Sequence, residues 1–136
     1  MADLIDSIAI SSAGMKVQAA RMKIVAQNVA NADSISSTPG GMPYQRQNIS
    51  FKNMLDKETG VSMVQVNKIG VDKTPPVSRY EPNSPSADQN GYVLYPSINK
   101  DVEMVDMQEA RRSYEANVDI IDASKAMIGE SIGLIK

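Results

Sequence analysis

Residues 8–31 read IAISSAGMKVQAARMKIVAQNVAN, and the period of their apolar positions decides the kind of fold the chain adopts. Ile8, Met15, Met22 and Val29 recur every seven residues, with Ile5, Ser12, Ala19 and Ala26 filling the four-residue steps between them. That is a heptad seam on an α-helix. A second seam runs through Ile10, Ala13, Val17, Ala20 and Ile24. At about 100° per residue Met15 and Val17 stand roughly 200° apart, so the two stripes lie on opposite sides of the helix. Lys16, Lys23 and Gln27 occupy one polar flank between them, and Gln18 and Arg21 the other. A surface helix buries one apolar stripe; a second asks for a second neighbour. The pattern predicts a helix over roughly residues 3–30, with Asn31 placed to end it in the left-handed conformation.

The other end of the chain repeats the logic. Met107, Tyr114, Ile121, Ile128 and Ile135 stand seven apart, and Ile120, Met127 and Leu134 widen the apolar face. Asn99 or Asp101 can cap this helix, and Asp101, Glu103 and Asp106 put negative charge where the helix dipole favours it. All seven Pro and five of the eight Gly fall between residues 39 and 96, so the chain divides into helix, irregular middle and helix. In the middle, Ile49 with Phe51, Val64 with Val66, Val77, and Tyr92 to Tyr95 mark short strands between TPGG, TPP, EPNSP and QNG turns. Residues 32–43 have no period and read as a flexible loop. The expected fold is mainly α with a small β part. Residues 1–31 and 100–136 form a discontinuous helical domain whose N- and C-terminal helices pair in a coiled-coil-like bundle, around a loop-rich segment 32–99.

A lone Phe, five Tyr and no Trp leave nine Met and many Ala to supply the packing. Met adapts to irregular surfaces, which suits contacts with several neighbours as well as it suits a core. The net charge of −2 gives no basic field for nucleic acid. Asp3 and Asp6 break up any signal-like apolar run, and no stretch reaches the roughly 18 apolar residues of a membrane span.

Catalytic chemistry has little to work with, since His and Cys are both absent. Asp101, Glu103 and Asp106 are better read as helix-start charge than as a cation site. Ser97-Ile98-Asn99-Lys100 matches S-x-x-K without the accompanying motifs, and TPGG lacks the Lys of a phosphate loop. No catalytic residue, metal or cofactor is assigned. Pairing of the two helices with each other accounts for one seam on each; the opposed second seam on residues 10–24 exceeds what a two-helix hairpin covers.

The segment AGMKVQAARMKIVAQNVANADS, above all Asn28-Val29-Ala30-Asn31, resembles the N-terminal motif of the flagellar rod, hook and hook-associated proteins. INKDVEMVDMQEARRSYEANVDIIDASKAM resembles that family's C-terminal motif, with Glu103-Met104-Val105-Asp106-Met107 and Ser113-Tyr114-Glu115-Ala116-Asn117-Val118. The small size, TPGGMPYQRQNISF and PNSPSADQNGYVLYPSIN resemble the short proximal-rod members, which leaves about 52–75 unmatched. The resemblance implies a structural, non-enzymatic subunit of the basal-body rod that stacks helically through its terminal helices and transmits motor torque. It implies as partners copies of the chain, other rod proteins and the proteins at the rod base and MS ring. It also implies export through the flagellar type III apparatus without a cleaved signal peptide, and a place in the periplasm. The motifs add Asn28, Asn31, Met104, Asn117 and Val118 to the packing residues Ile8, Ile10, Met15, Val17, Met22, Ile24, Val29, Met107, Tyr114, Ile121 and Ile128. The rival readings are a soluble helical adaptor and, more remotely, an enzyme using carboxylates.

Overall fold

The computed structural model describes residues 1–135; Lys136, the last residue of the expected helical domain, lies outside them. Helix α1 spans Ala2–Ala30 and helix α2 Lys100–Gly133, with strands β1 (Gln47–Leu55), β2 (Ser62–Val71), β3 (Val77–Tyr80) and β4 (Tyr92–Tyr95) between them. The fold is mainly α with a small β part: β1 pairs with β2, and β3 with β4. All four strands rise where the β-branched and aromatic residues cluster between turn signals. The chain gathers into two compact units. One comprises Met1–Met22, Ile49–Lys68 and Gln108–Lys136, the other Lys23–Asn48 and Ile69–Met107.

In the first unit α1 and α2 run antiparallel. A Cβ built on Gly14 would stand 2.9 Å from Asn117 Nδ2, while Arg21 pairs with Glu109 at 3.5 Å. Ser11 and Val17 on α1, and Ala110 and Ser124 on α2, are buried. Ser11, Gly14, Gln18 and Arg21 follow one another at three- and four-residue steps, so the polar flank of Gln18 and Arg21 lies within the face turned to α2. The Gln18 Oε1 atom there is buried and accepts no hydrogen bond among the described residues. On α2 the matching line is Ala110, Asn117 and Ser124, with Tyr114, Ile121 and Ile128 half-buried beside it. Small side chains on this line let two helices approach closely, and the larger seam residues pack along its margins. The β1–β2 hairpin belongs to the same unit. Met54 and Met63 to Val66 face Ala9, Ser12, Ala13, Lys16 and Val17 across an open, mainly apolar cleft of about 420 Å³. Ala13 and Val17 of the second seam thus face a neighbour within the chain that a two-helix picture lacks, while Ile10 stays exposed.

In the second unit Ile24, Val25 and Ala32 are buried, together with Val93 of β4. The β3–β4 pairing is antiparallel, with Val77 opposite Tyr95 and Tyr80 opposite Tyr92. The Tyr80 and Tyr92 rings meet edge to face at 5.3 Å, and the Arg79 guanidinium covers the Tyr95 ring at 4.3 Å. Gly91 turns the chain into β4 with φ of +83°, where a side chain would also strike Tyr80.

Residues 32–43 have no helix or strand, as expected, yet they are tied down. The Ser86 hydroxyl donates to Ser36 O at 2.6 Å, and Tyr44 N–H donates to Ser34 O. The end of α1 departs from expectation. No residue other than Gly has positive φ among the described residues, so Asn31 is not left-handed. Its side chain closes the helix instead: Nδ2 donates to Gln27 O at 2.9 Å, and Oδ1 accepts from the Ser34 hydroxyl. At the start of α2, Asn99 is the cap, its Oδ1 accepting from the amides of Asp101 and Val102.

Candidate functional site

The residues named from the sequence fall into three groups. Val17 and Ile24 are buried as seam residues, and Asn28 is buried as a polar one. Ile8, Met15, Met22, Val29, Asn31, Met107, Tyr114, Asn117, Val118, Ile121 and Ile128 are half-buried. Ile10 and Met104 are exposed.

Asn28 organises the densest polar cluster of the second unit. It occupies the last turns of α1, where the buried stripe continues from Val25. Its Nδ2 donates to Gln47 O at 2.8 Å and to Glu103 Oε2 at 3.1 Å. Its Oδ1 accepts from Gln47 N–H at 2.9 Å and from the Tyr44 hydroxyl at 3.1 Å. A side-chain amide offers two protons and two lone pairs, and all four are used. Gln47 opens β1 and is held through both its backbone groups, so Asn28 acts on the strand as another strand would.

Glu103, in the first turn of α2, is only 1% exposed. A carboxylate at that depth needs a partner. Arg46 supplies it, Nε donating to Glu103 Oε1 at 2.5 Å. The same guanidinium reaches Asp72 Oδ2 at 3.6 Å, and Asp72 N–H donates to Arg46 O, just beyond the end of β2. The cluster therefore joins four pieces of chain: the end of α1, the entry to β1, the exit of β2 and the start of α2.

Two ionisable groups respond. Burial pushes the Tyr44 phenol above its ordinary range, and Glu103 adds to the effect. The Asp72 carboxyl is held below its ordinary value, first by the Thr74 hydroxyl, then by the Thr74 amide, with Arg46 contributing less.

Sequence reasoning finds Asn28 but misses Glu103, Arg46, Tyr44 and Gln47. By type and position Glu103 reads as helix-start charge, although it stands seven residues before Ala110 and fourteen before Asn117, in phase with the buried line. An acid in phase with a seam is the available signal. Arg46 and Tyr44 have none, since only the folded middle segment brings them to the helices.

Among the described residues no group of three or more acids stands close enough to hold a metal ion, and no helix is long and apolar enough to cross a membrane. The polar groups of the cluster are bonded to one another, which is the chemistry of a scaffold: helices fixed in place by internal bonds, with apolar side chains left on their surfaces. The family described as Flagellar basal body rod FlgEFG protein C-terminal matches residues 89–134. The chain is 43% identical to the flagellar basal-body rod protein FlgC of Agrobacterium fabrum, over 93% of this chain and 91% of that one. It is 35% identical to the protein of that name from Borreliella burgdorferi, over 98% of each. With that from Salmonella typhimurium it shares 32%, over 96% of this chain and 97% of the other. The chain belongs to the FlgC family of flagellar basal-body rod proteins, and it is a structural subunit of the basal-body rod.

Proposed function

We propose that the chain builds the proximal rod of the flagellar basal body by helical stacking of its terminal segments, 1–31 and 100–136, as an inner layer, and that the rod so built transmits motor torque. Residues 32–99 form the outer, loop-rich part in this reading. The observation that carries it is an apolar flank of α2. In the first unit Ile120 is 45% and Met127 49% exposed, seven residues apart and roughly 60° round the helix from the buried Ala110–Asn117–Ser124 line, and Leu134, just past the helix end, is 88% exposed. Ile5 and Ile10 of α1 are likewise 58% and 45% exposed. A regular apolar line left uncovered along a helix is a surface that neighbouring subunits cover.

The partners are further copies of the chain, other rod proteins, and the proteins of the rod base and MS ring. The chain reaches the periplasm through the flagellar type III export apparatus, for which a chain without disulfides is suited. It has no enzymatic activity; the polar centre it possesses is closed on itself.

The test is a charge on the exposed line. Met127→Asp and Ile120→Asp alter groups that the isolated chain leaves in water, so its melting midpoint stays within the range of a surface substitution, about 0.5 kcal/mol. Buried against a neighbour, the carboxylate costs at least several kcal/mol. Cells carrying either change at normal protein level are expected to be non-motile and to lack completed rods by electron microscopy. Normal motility in both strains would overturn the proposal.

A further inference from the structure

We propose that the Asn28–Glu103–Arg46 cluster is a register key: it selects which turn of α1 faces which turn of α2, and it makes that choice depend on the docking of the entry to β1. Apolar seams alone are poor at this. Val25 and Ile24 make non-directional contacts, and residues seven apart on a heptad helix present equivalent faces, so among these side chains a slip of one heptad keeps apolar groups against apolar groups. The Gly14–Asn117 approach and the Arg21–Glu109 pair oppose such a slip in the first unit, and the cluster opposes it in the second. Such a slip moves one helix about 10 Å along the other. Hydrogen bonds do not survive it.

Asn28 satisfies all four of its bonding sites only when Glu103 Oε2 lies 3.1 Å from Nδ2 while Gln47 and Tyr44 occupy the other three. Away from that alignment Glu103, 1% exposed, loses the Asn28 amide at once, and Arg46 can follow it only by leaving Asp72. Buried polar pairs of this kind are weak sources of net stability but strong selectors among alternative packings. Three of the participants, Tyr44, Arg46 and Gln47, belong to the middle segment. The register is therefore set with the help of a part of the chain that is neither helix.

The experiment uses the full chain, which contains no Cys. Nitroxide labels are placed on the exposed positions Lys23→Cys and Asp101→Cys, and their separation is measured by pulsed electron resonance. The parent is expected to give one distance. The double replacement Asn28→Leu with Glu103→Leu is expected to keep its helical circular dichroism, at a lowered melting midpoint because Gln47 loses both its backbone partners, while adding a second distance that departs from the first by several ångströms. A single unchanged distance in the double variant overturns the proposal, whatever its midpoint. Loss of the helical signal overturns it as well, since the cluster would then supply stability and not choice. A broad distribution in the parent overturns it too, because a key that does not fix the parent's register is no key.

Discussion

Arg46 is the residue on which the polar centre depends most. Glu103 is 1% exposed, so deleting its partner leaves a buried carboxylate held by one amide. Arg46→Met keeps most of the side-chain volume and removes the charge. It is expected to cost about 3 kcal/mol, the usual scale for orphaning one member of a buried pair, read as a lower urea midpoint. A loss below about 0.5 kcal/mol, the range of ordinary surface changes, would mean that water already reaches Glu103. Asp72 gives a subtler reading. Its folded carboxyl titrates below its ordinary value chiefly because of the Thr74 hydroxyl. A depressed acid contributes stability above its unfolded value and loses it as pH falls through the folded one. In Thr74→Val the Asp72 titration, followed by carboxyl NMR, is expected to move upward toward the ordinary range, and the stability lost on acidification to become smaller, its onset staying at the unfolded value. An unmoved titration would transfer the effect to Arg46.

Among the elements, α1 shows how far a sequence pattern carries. Its extent and the burial of Val17 and Ile24 were legible because apolar side chains at heptad spacing admit few other arrangements. Which face meets α2 was not. Gln18 and Arg21 look like solvent residues by type, and only the close approach of the helices at Gly14 brings them inward. The strands were legible in position, from Val64, Val66 and the Tyr92–Tyr95 run, but the placing of the β1–β2 hairpin across a cleft from Ala13 and Val17 was not, because nothing local in Met54 or Met63 points to α1. The close approach itself can be measured. A Cβ at position 14 meets the tip of Asn117 at 2.9 Å, while Gly in a helix interior forgoes about 1 kcal/mol relative to Ala. Gly14→Ala alone is expected to be nearly neutral, the two effects offsetting each other. Combined with Asn117→Ala it is expected to recover about 1 kcal/mol more than the sum of the single changes, as a double-mutant cycle on melting midpoints records. Simple additivity would show that the helices stand further apart than this contact requires.

For the molecule as a whole, the ties that define it join distant parts of the sequence. Asn28 and Glu103 are 75 residues apart, and Arg46 and Glu103 57 apart. Closing such loops costs entropy before any contact repays it, which places a chain of this kind among the slower folders despite its helical content. Stopped-flow refolding of the full chain is expected in the millisecond-to-second range; microsecond refolding would show that the helices form and pair without the middle segment. The pairing of the ends also has a consequence in time. A chain that emerges N-terminus first presents α1 long before α2 exists to meet it, and Asn28 waits for three-quarters of a hundred residues before its last acceptor arrives. Through that interval the two seams of α1 are bare, and anything apolar nearby competes for them. The order in which the segments appear, and not the final set of contacts alone, decides whether α1 finds its own α2 or a stranger.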